Sequence, residues 1–241
     1  MRAIALVMVA ELAMLAAGCR SVDRVEGPDA APDSRLELVP GAIPLLPEAT
    51  SVGSVDLVAD SDGFAIAWSE LRSGETMERI GFARVGINGE IVVAPKTVAM
   101  RDNTGFTRVV LAPTPSGSLL WHVRQGDRFA AVILDRDGAT VVEVADAGNS
   151  LYSGKDEFTA AYVGGVHLVA RGTNAGVQLF RSDDVGDELG GGAEFTDGGA
   201  YPVILPRSGG ASVFWLRGAV VVRVETGLDG MPVGTETAVY S

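Results

Sequence analysis

Few side chains in this sequence belong to the types that commonly perform catalysis or hold metal ions. Among its 241 residues are one Cys, Cys19, and two His, His122 and His167. Zinc centres usually take three or four Cys, His or carboxylate ligands, so two His and one Cys predict no metal site. The sequence also lacks a G-x-S-x-G turn, a Walker loop and a dinucleotide-binding loop. We therefore predict no catalytic residues, no metal and no cofactor.

The single Cys follows a signal-like N-terminus. The second residue is Arg, and residues 3–17 are apolar apart from Glu11. Small residues, Ala16-Ala17-Gly18, come directly before Cys19. A positive start, an apolar middle and a small-residue end are typical of a secretory signal peptide, which we assign to residues 1–18. The apolar stretch is too short and too interrupted to predict a membrane span.

The segment Leu15-Ala16-Ala17-Gly18-Cys19 resembles the cleavage and lipidation site of bacterial lipoproteins. The resemblance implies that the chain is cut before Cys19 and acylated on the thiol and on the new amino group. Two or three acyl chains anchor a soluble domain stably, whereas one chain does not. Because Arg20 rather than Asp follows the Cys, the resemblance also implies the outer membrane. The alternative is an ordinary secretory signal with an incidental Cys.

Residues 19–50 are expected to form a lipidated, Pro-rich tether. Five prolines occur between residues 20 and 50, and no regular hydrophobic period persists there. The segment Leu36–Leu46 is more apolar than the rest, which suits a strand added to the following domain.

From residue 51 onward, apolar strand-like runs alternate with glycine-containing turns in a fixed order. Asp62-Gly63 and Asn88-Gly89 between apolar runs are typical of tight hairpins. Three turn types recur four times each, at Gly63, Gly117, Gly165 and Gly210; at Gly74, Gly126, Gly172 and Gly218; and at Gly89, Gly138, Gly186 and Gly230. Three turns per cycle predict four strands per cycle, in a unit of about 48 residues.

Four such cycles predict an all-β, propeller-like domain over residues 51–241, with four repeats of four antiparallel strands. Four blades lie at the low end of the usual range for a closed propeller, which leaves three alternatives. In the first, four blades close the ring; in the second, Leu36–Leu46 adds closing strands; in the third, the array pairs with another copy. A two-sheet β-sandwich is the alternative fold.

The first cycle also resembles a repeat that is common in secreted bacterial proteins. The resemblance rests on residues 62–68 (DGFAIAW), 80–85 (IGFARV) and 88–92 (NGEIV). In that family, a DGF-x-V-A-W strand pair precedes an I-x-x-A-R-V-x-x-x-G hairpin, and the repeats look like propeller blades. The match covers residues 51–98 and degenerates afterwards. It implies a fold and no catalytic residues.

Several conspicuous residues are expected to serve the fold. Trp68, Trp121 and Trp215 precede the middle turn, and we expect them in the core between blades. His122 and His167 are expected to be structural. The acidic turns 60–63 and 135–138 start like calcium loops but lack the rest of that pattern, so we expect plain hairpins. The acidic segment 183–188 is expected to be solvated.

Four arginines form the candidate binding site. Arg72, Arg124, Arg171 and Arg217 lie two to four residues beyond the Trp-equivalent position of each cycle. Aligned blades would bring them to one rim, where guanidinium groups suit the carboxylates of a protein or an anionic glycan. The alternative is that they pair with neighbours such as Glu70 and Asp127.

Charge excludes one large class of partners. The formal net charge is −12, from 19 Lys and Arg against 31 Asp and Glu, whereas nucleic-acid binding needs a basic face. We therefore predict a lipid-anchored cell-envelope protein whose non-catalytic domain binds a protein or glycan. One alternative is an envelope polysaccharide hydrolase, which needs paired carboxylates on the central face. Another is a structural assembly part with a large exposed apolar patch.

Overall fold

The computed structural model describes residues 49–102, 108–124, 128–144, 158–173, 175–183, 189, 192–196 and 198–240. They belong to a compact unit, Ala49–Ser241. The predicted signal peptide, Cys19 and Leu36–Leu46 lie outside the described residues. Among the residues described, no helix has the length and apolar character needed to cross a membrane.

Sixteen strands of the described residues form four sheets, and each sheet contains four strands in chain order. Blade 1 comprises β1 (Ala49–Asp60), β2 (Gly63–Arg72), β3 (Met77–Gly86) and β4 (Ile91–Asp102). Blade 2 comprises β5 (Val109–Thr114), β6 (Gly117–Arg124), β7 (Arg128–Asp135) and β8 (Thr140–Val144). Blade 3 comprises β9 (Phe158–Val163), β10 (Val166–Gly172), β11 (Gly176–Ser182) and β12 (Glu194–Thr196). Blade 4 comprises β13 (Ala200–Arg207), β14 (Gly210–Arg217), β15 (Val220–Gly227) and β16 (Thr237–Tyr240).

Neighbouring strands in every sheet are antiparallel, and the sheets are the blades of a four-bladed β-propeller. The predicted all-β propeller is therefore confirmed. The β-sandwich alternative is wrong, because the strands form four small sheets rather than two facing ones.

Glycine occurs at three of the four first turns for a steric reason. A Cβ at Gly63, Gly117 or Gly210 would lie 2.2, 2.0 or 1.9 Å from a carbonyl oxygen of the third strand of the same blade. The third-turn residue Gly89 instead needs a positive φ of 86°. Gly172 is the last residue of β10, directly before its turn. Gly126 and Gly186 lie outside the described residues.

Three apolar cores join the blades in series. One joins blades 1 and 2, the next joins blades 2 and 3, and the last joins blades 3 and 4. The second strand supplies both of its faces, as in β6, where Leu120 packs towards blade 1 and Leu119 towards blade 3. Within the described ranges, no comparable core joins blade 4 to blade 1. One face of blade 4 therefore takes part in none of these cores.

The outermost strand of blade 2, β8, is accessible on both faces. Val141, Val142 and Glu143 are all exposed. The reason is that β8 lies at the edge of its sheet, beyond the apolar cores on either side.

Candidate functional site

The four candidate arginines lie at corresponding ends of the blades. Arg72, Arg124 and Arg217 are the last residues of β2, β6 and β14, and Arg171 is the next-to-last residue of β10. Each of these is the second strand of its blade, so repetition of the fold brings the four backbone positions to one rim. The side chain of Arg124 is outside what the structure describes.

Partners within the same blade hold the three described rim side chains. Arg72 Nη2 lies 2.9 Å from Glu70 Oε1, and Arg217 Nη2 lies 2.5 Å from Glu236 Oε2. Arg171 Nε donates to Gln178 Oε1 at 2.7 Å. The three arginines differ in exposure. The side chains of Arg72 and Arg217 are 34% and 30% exposed, whereas Arg171 is 6% exposed as a residue. Arg72 and Arg217 can therefore reach a ligand at this rim.

The guanidinium groups of two rim arginines also lie over aromatic rings. The Arg217 guanidinium carbon is 5.7 Å from the centre of the Trp215 ring, and that of Arg171 is 5.3 Å from the Phe180 ring. Attraction between a cation and the negative face of the ring fixes these side chains. Arg217 thus presents a charge whose position is set before any ligand arrives.

Charged residues of blade 1 that sequence reasoning missed extend the same rim. Arg79, near the start of β3, donates twice to Glu75, with both nitrogen–oxygen distances at 2.7 Å. This arginine lowers the pKa of Glu75. Arg79 also pairs with Glu70 across the β2–β3 register, which places it beside Arg72. Arg79 follows Glu75 by four positions, so their pairing could be suspected from the sequence. Their closeness to Glu70 and Arg72 becomes known only from the strand register of the hairpin.

A buried ion pair supports this end of blade 1. Arg101 Nε lies 3.1 Å from Glu78 Oε2, and their side chains are 8% and 1% exposed. The two residues face each other across β3 and β4. Burial strengthens their attraction and raises the cost of losing either partner.

At the opposite end of blade 1, the calcium-like turns bind arginine instead. The carboxylate of Asp60 accepts a hydrogen bond from Arg84, and Asp62 accepts one from Arg136 of the next blade at 3.3 Å. Arg84 also donates to the Arg136 carbonyl oxygen at 3.0 Å. The hairpin interpretation of residues 60–63 and 135–138 is confirmed. No three His, Cys, Asp or Glu side chains in the described part of the chain are placed to hold a metal ion.

Polar side chains also join the first strands of blades 1 and 2. Ser54 Oγ accepts the Val109 N–H at 3.2 Å, and Asp56 Oδ2 accepts the Leu111 N–H at 2.7 Å. Part of Asp56 remains accessible, but its carboxyl group is enclosed between β1 and β5. Burial raises the pKa of Asp56, and the two backbone N–H groups, from Leu111 and Leu57, partly oppose that rise.

The two histidines lie at different blade interfaces. His167 Nδ1 is 3.1 Å from the Asp183 carbonyl oxygen and Nε2 is 3.3 Å from the Pro113 carbonyl oxygen, so the ring bridges blades 2 and 3. Its ring also contacts Trp121 edge-on at 5.3 Å. His122 pairs with Val109, whose side chain packs towards blade 1. The expected structural role is confirmed for His167.

All three tryptophans are buried, with exposures of 3%, 2% and 1% for Trp68, Trp121 and Trp215. The expected place in a core between blades is confirmed for Trp121 and Trp215, whereas Trp68 belongs to none of the three cores. Their predicted equivalence is wrong for one of them. Trp68 and Trp215 are the fifth residues after the glycine that starts the strand, whereas Trp121 is the fourth after Gly117. A shift by one residue along a strand turns the side chain to the opposite face of the sheet, so Trp121 packs towards the following blade.

Comparison with known proteins adds little to this picture. No protein-family model matches the sequence, and no curated protein matches it. A solved structure from a structural and mechanistic analysis of two prolyl endopeptidases, concerning inter-domain dynamics in catalysis and specificity, is similar, with a TM-score of 0.43 and 16% identity. The similarity covers 78% of this chain and 28% of that one. At these values, it carries no functional conclusion for this chain.

Proposed function

We propose that this chain is a lipid-anchored cell-envelope protein whose four-bladed domain is a non-catalytic scaffold that binds a protein or glycan partner. The observation that carries the proposal is the use of charged and polar side chains as fixed links within and between blades. Asp56, Arg84 and His167 each bond across a blade interface. Such links hold the rim loops in fixed relative positions, which lowers the ordering cost of binding.

The rim of Arg72, Arg79 and Arg217 is the proposed ligand-binding surface. The guanidinium groups of Arg72 and Arg217 are partly exposed. A guanidinium suits carboxylate or sulfate groups on a glycan, or acidic side chains of a protein. The whole chain has a net charge of −12, which would repel acidic partners that do not reach this rim.

The proposed membrane attachment rests on the sequence around Cys19. An anchored scaffold needs a spacer between membrane and domain, and the Pro-rich residues 20–48 supply one. The lipobox-like segment supports attachment at the outer membrane, with the domain held close to envelope polymers and proteins.

The binding proposal is tested with acidic and neutral envelope glycans and with acidic envelope proteins. We expect the variant that combines Arg72→Gln with Arg217→Gln to lose about tenfold in affinity for an acidic ligand, since an exposed ion pair contributes about 0.2–1 kcal/mol and about 1.4 kcal/mol is tenfold. Arg136→Gln is the matched control, because Arg136 is 61% exposed and lies at the other end of the blades. Equal affinity for the rim variant and the control would contradict the proposal.

A further inference from the structure

The face of blade 4 that points away from blade 3 is built like a blade-binding surface. Register across β13, β14 and β15 places Val203, Phe214 and Arg223 in one row. The next row on the same face contains Leu205, Ser212 and Glu225, and a third contains Leu216, Val221 and Tyr240. We call these nine residues the terminal face.

Corresponding positions in the other blades are covered by the next blade. Leu119 and Trp121 of blade 2, and Leu168 and Ala170 of blade 3, are the third and fifth residues of their second strands and are buried. Ser212 and Phe214 occupy these positions in blade 4. The terminal face thus has the strand position of an internal interface, with the polar Ser212 where blades 2 and 3 have Leu119 and Leu168.

Much of the terminal face is nevertheless accessible. Val203 is 47% exposed, Leu205 is 40% exposed and Tyr240 is 72% exposed. Phe214 and Leu216 are only half-buried. Apolar side chains grouped on one sheet face are typical of an interaction surface, whereas single exposed apolar residues are common and need no explanation.

Arg223 and Glu225 on this face form an ion pair that is self-complementary. Arg223 lies with its guanidinium carbon 5.8 Å from the Phe214 ring centre and pairs with Glu225. Glu225 also accepts from Arg207 Nε at 2.6 Å and from Ser212 Oγ at 2.9 Å. Arg223 and Glu225 are two residues apart on one strand, so a two-fold rotation places each opposite the other in a second copy. Like charges then do not meet, and the existing pair lowers the desolvation cost.

The size of the face fits a weak dimer. β13, β14 and β15 each have eight residues, and β16 adds four more. Three strands about 26 Å long and one about 13 Å long, about 4.8 Å apart, cover about 440 Å² on each partner. Two such faces bury about 900 Å², within the range below about 1,200 Å² that is typical of weak contacts.

We propose that the terminal face is the contact between two copies of this chain, packed face to face about a two-fold axis. Within the chain, the surface that covers such a face is always another four-stranded blade. A second copy of the chain supplies a blade of this kind. None of the rim residues Arg72, Arg79 and Arg217 belongs to the terminal face. This inference does not depend on which ligand the rim binds.

The test measures mass by sedimentation equilibrium on the full chain carrying Cys19→Ser, which removes the proposed lipid. We expect the mass to rise from 25.0 kDa towards twice that value as concentration increases, with a dissociation constant on the order of 100 μM. Val203→Asp combined with Leu205→Asp should keep the chain monomeric, because it places four like charges in the contact. Val92→Asp combined with Val141→Asp is the matched control on exposed strand residues of blades 1 and 2.

A charge exchange separates the two-fold arrangement from nonspecific apolar association. Arg223→Glu alone should weaken dimerisation at least tenfold, whereas Arg223→Glu combined with Glu225→Arg should restore it, because the exchanged pair is again self-complementary. Circular dichroism confirms that each variant is folded. A wild-type chain that stays monomeric at every concentration would overturn the proposal. A dimer that is unaffected by the Val203 and Leu205 substitutions would overturn it as well.

Discussion

Asp56 Oδ2 of β1 accepts a hydrogen bond from the backbone N–H of Leu111 on β5 at 2.7 Å, across the interface of blades 1 and 2. Its other oxygen accepts the Leu57 N–H at 3.0 Å. A single carboxyl group thus satisfies one donor in each of two blades. Ser54 makes the same kind of link to Val109 two residues away, so the first strands are joined at alternate residues.

Replacing Asp56 with Asn should destabilise the domain by about 1–3 kcal/mol, because an Asn has one acceptor oxygen for two donors and its amide group faces an N–H. The measurement is the free energy of unfolding in urea. Asp62→Asn is the control, since Asp62 is exposed and bonds mainly to exposed partners. An equal loss for both variants would show that the link between blades contributes nothing.

The difference in stability between the wild type and Asp56→Asn should also depend on pH. Because burial raises the pKa of Asp56 above its unfolded value, the folded state holds the proton more tightly. The stability contributed by Asp56 is therefore full below the ordinary carboxyl pKa and falls as pH rises towards the folded pKa. We expect the stability difference between wild type and Asp56→Asn to shrink over that rise. A difference that is constant from acid to neutral pH would contradict the assignment.

Glu78 and Arg101 form the second link with a measurable effect. Glu78→Ala should cost about 3–5 kcal/mol of unfolding free energy, because Arg101 would remain buried without its carboxylate. Glu75→Ala is the matched comparison, since Glu75 pairs with Arg79 at the accessible β2–β3 turn of the same blade. Its effect should be clearly smaller, as solvent screens exposed ion pairs. Thermal unfolding of both variants measures whether Glu78→Ala loses more stability than Glu75→Ala.

Cys19 provides the test of membrane attachment. It is the one Cys in the sequence, so metabolic labelling with palmitate reports on that residue alone. Cys19→Ser should abolish the label and move the protein from the membrane to the soluble fraction, since acyl chains supply the membrane affinity. If the Cys19→Ser variant were found in the membrane fraction in the same amount as the wild type, the lipid anchor would be ruled out.

The repeat was predictable because its turns carry a steric requirement that leaves a mark in the sequence. Gly117 and Gly210 recur where a Cβ would collide with the third strand, and no other residue type fits there. Most of the strands therefore follow from spacing alone. Trp121 was misjudged because a shift of one residue changes the face of a strand without changing its composition.

The contacts of the candidate site were less predictable, because they depend on pairing between distant positions. Arg217 bonds Glu236 across 19 residues, and Arg101 bonds Glu78 across 23. Neither partner can be chosen from the many acidic residues until strand register is known. The link from Asp56 to Leu111 is harder still, since its donor is a backbone group and leaves no trace in residue types.

The arrangement of the three apolar cores has a consequence for cooperativity. In the described residues these cores connect the blades one after another, as couplings connect units in a linear chain. In such a chain, stability is a sum of unit and nearest-neighbour terms, and unfolding starts at a unit with one neighbour. Blade 4 has one such coupling, whereas blades 2 and 3 have two each. Opening of the protein should therefore spread inward from an end, and any contact that covers blade 4 would delay the whole process.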